Sequence, residues 1–90
     1  MIRIAFDIDG TLLDDNGKPH YGIITLIREL SFLQNVKVFI WSGGGLDYAK
    51  TIVEKFGLRE YAEPAAKCSM LVDVAFDDKD VDLGKVNIQV

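Results

Sequence analysis

Two carboxylates stand two residues apart in the run Phe6-Asp7-Ile8-Asp9-Gly10-Thr11. A carboxylate can attack a phosphorus centre and form an aspartyl-phosphate. A second carboxyl beside it can give a proton to the leaving oxygen and later take one from water. Along an extended strand, residues two apart point the same way, so Asp7 and Asp9 are expected to serve one centre. Adjacent carboxylates repel, and they need a cation or hydrogen bonds unless one pKa rises. The plain alternative is a turn that Asp7 opens, with Asp9 in an Asx-type role.

Three further groups could complete such a centre. Asp77-Asp78 ends an apolar run and would supply the other half of a cation site. Carboxylate oxygens, few in number and supplemented by water, suit Mg²⁺ better than an all-protein Ca²⁺ cage. Ser42-Gly43-Gly44-Gly45 offers a hydroxyl and exposed backbone N–H groups before a helix, which is a phosphate cradle. A helix cap followed by a loose turn reads the same residues equally simply. A lysine would balance charge on phosphoryl oxygens. Lys67 is the first choice because a short connection joins it to the Asp77 run, and Lys50 is the competitor; Lys18 and Lys79 rank lower.

These residues need a scaffold that brings distant positions together. Ile2–Phe6, Val36–Trp41 and Leu71–Phe76 are short, mostly apolar runs that read as strands buried on both faces. Lys85–Val90 alternates and reads as a last strand; a short one is expected around Glu60–Ala62, with a turn at Pro64. Apolar positions recur at helical spacing over Tyr21–Leu33 and Leu46–Phe56, and Gly57 is a natural helix stop. Asn16-Gly17 predicts a tight turn. Strands alternating with helices give an α/β domain with a mainly parallel sheet, spanning residues 1–90. Strand carboxyl ends in such a sheet share one edge, where ligands bind. Asp7, Ser42 and Asp77 each end a strand and would meet there.

Bulk properties narrow the class. Apolar residues make up 49% of the 90 and charged residues 27%, an ordinary globular balance. No apolar run reaches 18 residues, so no span of a membrane is expected. The net charge of −4 does not favour nucleic acid as a partner. The single cysteine, Cys68, suits a reducing compartment such as the cytoplasm and is expected to be a small buried hydrophobe.

Ile4-Ala5-Phe6-Asp7-Ile8-Asp9-Gly10-Thr11-Leu12 resembles the first motif of the haloacid dehalogenase superfamily. Val38-Phe39-Ile40-Trp41-Ser42-Gly43 resembles its second motif, Lys67 fits its third, and Val72–Asp78 resembles its fourth. The resemblance implies a Rossmann-like three-layer core with sheet order 3-2-1-4-5. It implies Asp7 as nucleophile and Asp9 as general acid/base. Gly10, Thr11, Ser42, Gly43 and Lys67 would bind the phosphoryl group. Mg²⁺ would be held by Asp7, the Asp9 carbonyl and a motif-four acid, with Asp77 favoured and Asp78 supporting. Asp9 selects phosphatase or phosphotransfer chemistry over the dehalogenase branch.

Only about 30 residues separate Thr11 from Ser42, so no cap domain fits. Leu12–His20 is expected to form a small flap over the site, with His20 a solvated loop residue. A phosphorylated substrate is implied, its size open, and a small capless core leaves self-association open. Two rival readings are a binding module that holds Mg²⁺ and phosphate without turnover, and a receiver-like phospho-acceptor. The second places its acidic pair first and its acceptor later, the reverse of the order here.

Overall fold

The computed structural model describes all 90 residues. In chain order the elements are β1 (Ile2–Asp7), α1 (Tyr21–Ser31), β2 (Val36–Ser42), α2 (Leu46–Lys55), β3 (Glu63–Ala66), β4 (Val72–Asp77) and β5 (Gly84–Gln89). The strands form one sheet of order β3-β2-β1-β4-β5, parallel at every pairing. The expected α/β core and strand order are both found.

The apolar pattern explains which face each helix takes. Ile23, Ile24 and Ile27 of α1, and Ala49, Ile52 and Val53 of α2, form one core with Ile4, Phe6, Val38 and Ile40 of the sheet. Phe6 and Phe76 stack across β1 and β4, with centroids 4.4 Å apart and planes 7° off parallel. The opposite face carries Ala5, Phe39, Trp41, Ala65 and Ala75. Both helices belong to crossovers that step the same way along the sheet, so one handedness puts them on one face.

The third layer differs from expectation because it is not helical. The chain leaves β3 at Ala66 and enters β4 at Val72, then leaves β4 at Asp77 and enters β5 at Gly84. Segments this short have no room for the usual crossover helix. Their side chains Met70 and Leu83 pack on the Trp41 face instead.

The third strand also lies later than expected, at Glu63–Ala66 rather than Glu60–Ala62. Tyr61 and Ala62 donate their N–H groups to the Leu58 carbonyl, and Leu58 and Ala62 are buried under α2. That turn consumes the residues assigned to the strand. Pro64 sits inside β3, opposite Ile40, which is tolerated because β3 is an edge strand with one free side.

Candidate active site

Register sets the site. Phe6 pairs with Phe76 and Asp7 with Trp41, so Asp7 and Asp77 follow side by side at the carboxyl edge, and Ser42 lies one step past Trp41. Asp7 and Asp77 are buried, 7% and 1% exposed. Lys67 enters from the non-helical crossing that leaves β3. Its N–H donates to the Ser42 carbonyl at 3.1 Å, which fixes where the side chain begins. Its Nζ then lies 2.6 Å from Asp77 Oδ2 and 3.4 Å from Asp7 Oδ1. Lys50 is on the exposed side of α2, lining a different cleft with Val53, Glu54, Arg59 and Pro64.

Asp78 completes a cluster. Asp7, Asp77 and Asp78 each offer a carboxylate oxygen, all within 4.8 Å of one another. Both Asp77 oxygens have donors, Lys67 Nζ and the Lys79 N–H at 3.0 Å. Asp78 Oδ1 is buried without any donor. Three carboxylates against one ammonium leave an excess of negative charge, and an all-oxygen set with an orphaned oxygen fits a hard divalent cation. Gly10 makes the arrangement possible. It has φ +87°, and a Cβ built on it collides with the Asp78 carboxylate.

The electrostatics follow from this crowding. Burial, then the charge of Asp77, raises the Asp7 pKa from 3.8 to about 6, against the opposing pull of Lys67. Burial also pushes Asp77 up, but the hydrogen bonds from Lys67 and Lys79 outweigh it and hold its carboxyl below the usual range. Burial pulls Lys67 down, and the bond to Asp77 with the charges of Asp7 and Asp77 reverses that, leaving it raised.

Asp9 lies elsewhere than the strand argument implied. β1 ends at Asp7, and Thr11 and Leu13 donate to the Ile8 carbonyl while Leu12 donates to that of Asp7. Asp9 is therefore in a turn, exposed, with its side chain outside the carboxylate cluster. No donor reaches its carbonyl oxygen, while its Oδ1 accepts from the Tyr48 hydroxyl at 2.8 Å. Sequence reasoning missed Tyr48; the one signal for it was its position a turn into the helix after the Ser42 loop. Burial, then the bond to Asp9, raises its pKa.

Ser42 is buried, and its Oγ accepts from the Gly44 N–H at 3.0 Å. The Gly43 N–H donates to no protein group, and Gly45, at φ +100°, starts α2 without a side-chain cap. Thr11 is 2% exposed and its Oγ1 has no partner.

Residues 12–20 double back on themselves, with Leu13 bridged to Pro19. Asp14 Oδ1 accepts from the N–H groups of Asn16 and Lys18, and Gly17 takes φ +76°. Asp14 and Asp15 line an open cleft of about 300 Å³ with Asp9, Gly10, Asp78 and Lys79. His20 is structural rather than merely solvated, since its Nδ1 accepts from the Ile23 N–H at 3.3 Å and caps α1. Asp73, though close in sequence to Asp77, is apart from the site, accepting from the Arg3 N–H and facing Lys85. Cys68 is exposed rather than buried. It takes φ +63° in the turn that carries the chain out of β3, where Ser69 N–H donates to the Ala66 carbonyl.

No helix is long and apolar enough to cross a membrane. Searches of curated proteins and of solved structures gave no match. The family model for haloacid dehalogenase-like hydrolases matches residues 4–67, a span that runs from the strand before Asp7 to Lys67 itself. With the sheet order and the strand-end residues already described, that match over most of the chain makes it a member of the haloacid dehalogenase-like hydrolase family.

Proposed function

We propose that this hydrolase is a Mg²⁺-dependent phosphatase working through an aspartyl-phosphate on Asp7. The observation that carries the reading is the buried Asp7 carboxylate at a strand end, 3.4 Å from Lys67 Nζ and clustered with Asp77 and Asp78. Carboxylates of Asp7, Asp77 and Asp78, with the unpaired Asp9 carbonyl, would hold the cation. When bound, Mg²⁺ supplies positive charge against the phosphoryl oxygens.

Asp7 attacks phosphorus as its carboxylate, and the bond from phosphorus to the leaving oxygen breaks. Asp9 gives its proton to that oxygen. A water then attacks the phosphorus, loses its proton to Asp9, and displaces phosphate from Asp7. Lys67 balances charge on the phosphoryl group from beside Asp7 and Asp77, and Ser42 with the free Gly43 N–H holds its oxygens. The cleft beside Asp9 is open and lined only by polar residues and Gly10, which supports a phosphomonoester with a polar leaving group of unrestricted size.

The test is phosphate release from 4-nitrophenyl phosphate with added Mg²⁺. Turnover should vanish with chelator and with Asp7→Asn, and intact-mass analysis of quenched enzyme should find the acyl-phosphate on Asp7. A wild type inactive across a broad phosphoester panel would sink the proposal.

A further inference from the structure

We infer that Tyr48 is a positioning residue for Asp9, holding one oxygen of this exposed carboxyl so that the other carries the transferred proton. The inference rests on the phosphatase reading above.

Asp9 has little else to orient it. It lies in a turn, is exposed, and no protein group but Tyr48 bonds its carboxylate. An exposed aspartate without a partner samples several rotamers, and freezing it costs entropy at each turnover. Tyr48 meets that need from a rigid base. It sits in the first half of α2, part-buried against the main core, and its hydroxyl reaches 39 residues back along the chain to Asp9 Oδ1 at 2.8 Å. That bond commits Oδ1 as an acceptor and leaves Oδ2 to hold and release the proton.

The ring is itself positioned. A Cβ on Gly44 would lie 3.1 Å from Tyr48 Cδ2 and 3.3 Å from Ser42 Oγ. The ring therefore packs on the bare Cα of the loop whose Gly44 N–H bonds Ser42. Tyr48 thus ties the turn bearing Asp9 to the loop bearing Ser42, and sets the distance between proton donor and phosphate cradle. A surface tyrosine serving only helix packing would need neither the hydroxyl contact nor a glycine beneath its ring.

Protonation of the leaving oxygen matters greatly for an alkoxide and little for a nitrophenolate. Tyr48→Phe keeps the ring and removes the hydroxyl, so it separates the two roles. With saturating Mg²⁺, it should lower the single-turnover rate of glycerol release from glycerol 3-phosphate roughly tenfold or more, with KM within about twofold. On 4-nitrophenyl phosphate the single-turnover rate of nitrophenolate release, which precedes the hydrolysis that Asp9 also serves, should fall by less than about twofold. In an Asp9→Asn background, Tyr48→Phe should cost nothing further, because the group it orients is gone. Equal losses on both substrates, a change confined to KM, or additive losses in the double variant would each overturn the inference while leaving the phosphatase reading standing. A wild type that turns over neither substrate overturns both.

Discussion

The carboxylate of Asp78 occupies the volume that a Cβ on Gly10 would need. The two residues are 68 positions apart in sequence, yet the glycine is required by the aspartate. Gly10 also has φ +87°, a conformation that strains other residues. Gly10→Ala should therefore destabilise the protein by about 1–3 kcal/mol and displace Asp78. Calorimetric titration with Mg²⁺ should show binding weakened at least about tenfold, a loss of about 1.4 kcal/mol. Unchanged Mg²⁺ affinity in a folded Gly10→Ala protein would remove Asp78 from the cation site.

Lys67 is the only cation bonded to the buried pair Asp7 and Asp77. Lys67→Met leaves those carboxylates uncompensated, and the cost should be about 3 kcal/mol in chelator. Added Mg²⁺ should recover much of that loss, because a bound cation supplies the missing charge. Denaturant melts of both proteins, with and without Mg²⁺, measure the difference.

The pKa of Asp7 is about 6 in the folded protein against 3.8 for the unperturbed group. Between those values the folded state holds a proton that the unfolded chain has lost. The metal-free protein should therefore gain stability as pH falls from above 6 toward 4, opposite to the trend expected of a salt-bridged acid. Asp77 is shifted the other way, so its contribution is lost only below the ordinary carboxylate range. Asp7→Asn should abolish the gain and stabilise the chelated protein near pH 8 by an amount on the order of 2–3 kcal/mol. Urea melts from pH 4 to 8 would test it, and a wild type with no such rise would refute the burial argument.

His20 caps α1 through Nδ1. His20→Ala should lower stability by about 0.5–1 kcal/mol and leave turnover of 4-nitrophenyl phosphate within about twofold. A large loss of turnover with unchanged stability would instead give His20 a place at the substrate.

Much of the centre is legible in the sequence because its residues mark strand ends. Asp7, Ser42 and Asp77 follow apolar runs, and parallel strands carry their carboxyl ends to one edge. The placement of Lys67 over Lys50 also followed, since a residue just before β4 must cross the sheet near β1. Local rules failed where tertiary packing overrode them. The turn after β1 begins at Ile8, so Asp9 escaped the two-residue periodicity assumed for it. Leu58 and Ala62 were drawn under α2, which pushed β3 onward through Pro64. Cys68 was forced outward by a left-handed turn that its apolar character does not announce.

By itself, the amino-acid sequence determined the alternation of strands with helices and that Asp7, Ser42 and Asp77 end strands, while the sheet order was implied by the resemblance of its motifs. The alternation and the strand ends are written in periodicity and in polar breaks, which act over a few residues. Only the tertiary structure decided that both helices share one face, that Asp78 rather than Asp77 holds an unpaired oxygen, and that Tyr48 grips Asp9. Each of these depends on through-space distances of a few ångströms between groups far apart in the chain. Such distances follow from the summed packing of the sheet and its crossings, and no local pattern encodes them.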